Sequence, residues 1–130
     1  MLKNILLAAA LILFAACSGD KPAAEAPQVA AATASHAQYN LLFFMDPNGG
    51  PCRTQSSILS QMSEELRGKV NIRYVQTTNK NDTQLFYQFG IRALPTLLFT
   101  DGSGKELKRL PPGIRDAGTI RTMVNQLTAG

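Results

Sequence analysis

One histidine and two cysteines in 130 residues leave little material for a metal centre or a disulfide framework. His36 has no second group of ligands to join, so no metal is expected. Cys17 and Cys52 lie in unlike surroundings, and two cysteines are too few to staple a small scaffold. The apolar run Ile5 to Phe14 is about ten residues long, well short of the roughly 20 needed to cross a bilayer. The formal charge of +4 falls to +3 without Lys3, too small an excess to argue for nucleic acid. The basic residues are scattered, apart from Lys105, Lys108 and Arg109, which read as a solvated turn or strand edge. No nucleotide-binding glycine loop, pair of catalytic carboxylates or Ser/His/Asp set stands out, and no cofactor is expected.

What is present suits one packed domain with a leader. The chain is 45% hydrophobic and 17% charged, an ordinary globular balance. Residues 1–16 read as a secretory signal, with Lys3 as its basic start. Leu13-Phe14-Ala15-Ala16-Cys17 resembles a bacterial lipobox, with Phe14 departing from the usual Leu or Val. That resemblance implies lipidation of Cys17 and anchoring in the bacterial envelope, facing the periplasm. Ser18 in place of Asp resembles lipoproteins of the outer rather than the inner membrane. Residues 17–37 form a lipidated cysteine and an Ala/Pro-rich segment with too little large apolar surface to fold, expected to act as a tether.

The folded domain is expected over 38–130. Leu41 to Met45 is a short continuous apolar run, as in a strand covered on both faces. Asp46-Pro47-Asn48-Gly49-Gly50-Pro51 breaks it with turn residues. A helix is predicted from about Cys52, with Ile58, Leu59, Met62 and Leu66 at helical spacing and a stop at Gly68. Val70 to Val75 alternates as a strand. Asp82 is a predicted N-cap for a second helix carrying Leu85, Phe86 and Phe89 and ending at Gly90. Thr96 to Thr100, a turn at Asp101-Gly102-Ser103-Gly104, and Lys105 to Leu110 make a hairpin. Asp116 caps a last helix with Ile120, Met123, Val124 and Leu127 inside. The order β-α-β-α-β-β-α predicts an α/β fold: a four-stranded mixed sheet with helices on both faces.

These residues resemble the thioredoxin family across about 39–128. Phe43-Phe44 through Gly50-Pro51-Cys52-Arg53 resembles its strand, active-site loop and following helix. Phe89-Gly90-Ile91-Arg92-Ala93-Leu94-Pro95-Thr96-Leu97-Leu98-Phe99 resembles the segment holding the family's cis-proline, which would be Pro95. Asp101-Gly102 and the strand after it resemble the terminal hairpin. The family's first strand and helix are absent, so the resemblance implies a minimal thioredoxin-like fold. It also implies a surface beside the active-site sulfurs where a bound peptide adds as a strand.

The chain departs from the family where the chemistry is done. Gly49 stands at the attacking cysteine and Asn48 at the aromatic before it. Phe43 falls near the family's buried acid, and Tyr74 near its lysine partner. Disulfide reduction needs one thiolate to attack and a second thiol to resolve the adduct, so a standard dithiol reductase is not expected. Cys52 remains. A helix N-terminus favours its thiolate, as Arg53 would if close, while burial opposes it. Gly49 and Gly50 carry no side chains, which would open access to the sulfur.

Three readings of Cys52 stay open. It is a single redox thiol forming mixed disulfides with a thiol- or disulfide-bearing protein or a small thiol. Or it is a core residue of a redox-inactive binding module that keeps the Pro95 groove. Or it links two copies through a Cys52–Cys52 disulfide. The first is taken forward, with Asn48, Gly49, Gly50, Pro51, Leu94, Pro95 and Thr96 as contact surface and a monomer as the expected state.

Overall fold

The structure is a computed structural model that describes residues 37–130. The leader, Cys17 and His36 lie outside the described residues.

Strand β1 (Tyr39–Met45) is followed by helix α1 (Gly50–Gln61) and a short helix α2 (Ser63–Leu66). Strand β2 (Val70–Gln76), a 3-10 turn (Lys80–Asp82) and helix α3 (Thr83–Gln88) come next. Strands β3 (Thr96–Asp101) and β4 (Glu106–Arg109) lead to helix α4 (Ala117–Thr128). The sheet has four strands in the order β2-β1-β3-β4. β2 is parallel to β1, while β3 is antiparallel to both β1 and β4. The architecture is thus the mixed α/β sheet expected from the sequence.

Alternation along the strands builds two cores. Leu41, Phe43 and Met45 point to one face with Leu97 and Phe99, against Leu59, Met62 and Leu66 of the first helices and Ile120 and Val124 of α4. Leu42, Phe44, Val75 and Leu98 point to the other, where Leu85 and Phe86 of α3 and Phe89 cover them. Register explains the match: Phe43 lies opposite Leu97 on one side and Tyr74 on the other. Burying both faces of β1 is what its unbroken apolar run requires.

A boundary and a cap differ from expectation, and the helix predicted through Leu66 breaks at Met62 into α1 and α2. Helix α1 begins at Gly50, so Pro51 lies in its first turn, where its fixed φ and missing N–H cost nothing. Asp82 occupies the position before α3 but makes no capping hydrogen bond. Its carboxylate turns inward, accepting from the Gln76 backbone N–H at 2.9 Å and from Arg73 at 3.3 Å. Only 4% of Asp82 is exposed, so a buried carboxylate took the partners that satisfy it best. Asn79 caps the preceding turn instead, accepting from the Asn81 N–H. Asp116 does cap α4, through the Thr119 N–H at 2.9 Å.

Candidate functional site

The end of β1 feeds a tight turn. Asp46 O accepts from Gly49 N–H at 3.0 Å, closing a β-turn with Pro47 and Asn48 at its centre. Asp46 Oδ1 accepts from Asn48 N–H at 2.9 Å. Gly49 is the N-cap of α1 in an extended conformation, φ −75° and ψ 127°, which any residue adopts. With no side chain it cannot cap the helix as Ser or Asp would. Arg53 folds back over the turn, and its guanidinium donates to Asn48 O at 2.7 Å.

Cys52 sits under this turn with 2% of its surface exposed. Its sulfur accepts from Asp46 N–H at 3.4 Å and joins the core beneath α1. The two glycines therefore do not open the sulfur to solvent: the helix turns Cys52 inward, and the backbone of the loop covers it. Gly49 nevertheless leaves room for a side chain beside Cys52. A Cβ built there would stand 3.5 Å from Cys52 Sγ, in ordinary contact, and 3.3 Å from Asp46 O, a tight but adjustable approach.

The opposite wall is the start of β3. Phe44 of β1 pairs with Thr96, so the chain just before Thr96 reaches the same end of the sheet as the Cys52 loop. The Leu94–Pro95 peptide bond is cis. Pro95 is buried, and its carbonyl accepts from Gly113 N–H at 2.8 Å. Gly113 has φ 111°, open to glycine and rarely to other residues. Thr96 is also buried, with its hydroxyl donating to Ala93 O at 2.7 Å. Thr96 thus shapes the wall from inside and offers no side chain to a partner. Leu94 is half-buried between the two cores. Among the described residues its N–H and C=O make no backbone hydrogen bond. Asn48, Gly50 and Pro51 are exposed across from it.

Two features complete the site. Phe43 and Tyr74 fill the interior below it, with ring centres 5.3 Å apart and edge to face. Aromatic rings favour this edge-to-face arrangement in an apolar setting. Gln55, fully buried, was missed at the sequence level. Its amide accepts from Arg115 N–H at 2.6 Å and donates to Arg115 O at 3.1 Å, fastening α1 to the segment before α4. The signal was present: positions 52, 55, 59, 62 and 66 share the helix's inward face, and only 55 is strongly polar. Outside the turn, Thr77, Thr83, Phe86, Tyr87 and Ile91 line a shallow, mostly apolar cleft at this end of the sheet. Tyr87 is 77% exposed there.

Comparison with known proteins agrees with this fold. A family model described as a thioredoxin-like domain matches residues 26–128. The thioredoxin of Rickettsia conorii is 35% identical over 78 residues, covering 59% of this chain and 70% of that protein. Thioredoxin 1 of a Nostoc species is 31% identical over 65 residues, covering 50% of this chain and 59% of that protein. The chain thus spans between half and three quarters of the length of these two relatives. Among solved structures, a thioredoxin-like protein of Clostridium perfringens superposes with a TM-score of 0.61 at 26% identity, over 68% of this chain and 70% of that one. Thioredoxin-2 of a malaria parasite shares the fold, with a TM-score of 0.59 at 17% identity over 68% and 82% of the two chains. The chain belongs to the thioredoxin family.

Proposed function

We propose that this protein acts in thiol–disulfide exchange at the bacterial envelope, anchored through lipidated Cys17, with Cys52 as its single redox thiol. The observation that carries the reading is the room for a side chain at Gly49, beside Cys52. At Gly49 the backbone conformation accepts a side chain, and its Cβ direction leads within 3.5 Å of Cys52 Sγ. A partner's sulfur entering along that direction meets Cys52 where an internal cysteine would have met it.

The exchange balances with one thiol on this chain. The Cys52 thiolate attacks one sulfur of a partner disulfide. A mixed disulfide forms, and the other partner sulfur leaves as a thiolate. A second thiol, from the partner or a small thiol, then attacks the mixed disulfide and releases the Cys52 thiolate. Attack requires the Asp46–Pro51 turn to open locally, since the sulfur is covered at rest. The unpaired N–H and C=O of Leu94 offer a partner segment one strand-like contact, and the Tyr87 cleft offers apolar area beside it.

The full chain incubated with oxidised glutathione tests this. The expected result is a glutathione adduct on the Cys52 peptide, on a chain that remains monomeric without reductant. A redox-inactive binding module is the second reading, favoured by the 2% exposure of Cys52. It predicts no adduct below the unfolding transition. A chain linked to a second copy through Cys52 would instead identify a disulfide dimer.

A further inference from the structure

We infer that Asn48 is a deamidation site, made reactive by the glycine that follows it and by Arg53. The side-chain amide of Asn48 is attacked by the backbone nitrogen of the next residue. The chain has one asparagine followed by glycine, and it is this one. Gly49 has no Cβ to obstruct closure of the five-membered ring. Asn48 is exposed, and its side chain makes no hydrogen bond to any described residue, so no described residue holds it away from the peptide.

Arg53 polarises the peptide that must react. Its guanidinium donates to Asn48 O at 2.7 Å, a short charge-assisted bond. Drawing electron density toward the carbonyl acidifies the Gly49 N–H and favours the amide anion that is the nucleophile. Gly49 N–H donates to Asp46 O at 3.0 Å, and this bond must break before the nitrogen attacks. The other described asparagines lack this setting. Asn40 and Asn71 lie in strands with bonded side chains. The side chain of Asn79 accepts from Asn81 N–H, Asn81 itself lies in the 3-10 turn, and Asn125 lies in α4. None precedes glycine.

The steps balance without an added oxidant or reductant. Gly49 N bonds to Asn48 Cγ, and the side-chain amide leaves as ammonia, taking up the proton lost from nitrogen. Water then opens the succinimide at either carbonyl, giving aspartate or isoaspartate. The product is a new carboxylate one residue before the N-cap of α1, beside Arg53 and near the N-terminal dipole, both of which stabilise negative charge. A negative charge there opposes formation of the Cys52 thiolate. That consequence, unlike the modification itself, rests on the proposed role of Cys52.

The test is incubation of the folded full chain at mildly alkaline pH, with peptide mass mapping of all asparagines, beside Arg53→Gln. Asn48 should convert faster than every other described asparagine, with both aspartate and isoaspartate formed. Arg53→Gln should slow it severalfold, and the two chains should converge in guanidinium. An intact Asn48 while other asparagines react would overturn the inference, as would equal rates in the two folded chains. Because the readout is the mass of the Asn48 peptide, an inert Cys52 leaves the result unaffected.

Discussion

The two walls of the candidate site are held in different ways. On the Pro95 side, the cis bond and the Gly113 N–H on the Pro95 carbonyl fix the backbone next to Leu94, whose own N–H and C=O make no backbone hydrogen bond among the described residues. On the Cys52 side, the turn and helix start are in place, but the position that would carry an exposed thiol is a glycine. Beneath it, Phe43 and Tyr74 pack ring to ring. The Pro95 wall is held by backbone hydrogen bonds and tolerates change in the side chains around it. The Cys52 wall depends on single side chains.

The sharpest way to break the contrast is to restore the missing side chain. Gly49→Cys places a second sulfur within bonding reach of Cys52 Sγ, given 3.5 Å from the added Cβ and an S–S bond of about 2 Å. Under oxidation this variant should form an internal Cys52-containing disulfide and lose both thiols to titration, and under reduction it should reduce a test disulfide. A folded variant that keeps two free thiols would show that the Cys52 wall has lost the geometry as well as the thiol.

The aromatic pair tests the floor of the same wall. Phe43 is fully buried, and Phe43→Ala should cost about 3–5 kcal/mol, read as a lower urea midpoint. Gln55→Leu leaves the Arg115 backbone N–H and C=O without their partner and should cost about 1–3 kcal/mol. A cost near zero would mean that water replaces Gln55 there.

Acid should weaken the domain away from both walls. Asp116 is held below its usual 3.8 chiefly by the Thr119 backbone N–H, and Asp101 chiefly by the Ser103 hydroxyl. Glu65 is held below its usual 4.5 chiefly by the hydrogen bond from Arg121. Each carboxyl binds its proton more weakly when folded, so the stabilisation is full above the ordinary value and is lost as pH falls through the lowered one. Stability should be flat from neutrality to about pH 5 and decline below about 4. Asp116→Ala should shrink that decline, as followed by thermal melts across pH. The smallest effect belongs to the outer cleft. Tyr87→Ser should change stability by no more than about 0.5 kcal/mol while weakening capture of a partner segment, if the cleft serves that purpose.

Much of the fold was legible because local pattern and tertiary demand agree. The apolar runs 41–45 and 96–100 became the two central strands, and helical spacing at 120, 123, 124 and 127 became the inner face of α4. Asp82 was misread because its cap position is local while its partners, Arg73 and the Gln76 N–H, lie on a neighbouring strand. The site was legible as a set of positions and not as a surface. Asn48, Gly50 and Pro51 are exposed, but access to Cys52 depends on which way the first helical turn points, and it points inward. Thr96 likewise faces the core, because register with Phe44 fixes its side.

The central claim is that Cys52 reacts while the domain is folded. It is tested most directly by the alkylation rate of the Cys52 peptide in the full chain as denaturant is raised toward the unfolding midpoint. A locally opened turn predicts a rate that is measurable without denaturant and nearly independent of it until close to the midpoint. A rate that vanishes in buffer and rises in step with global unfolding would contradict the account and leave Cys52 as a core residue of a binding module.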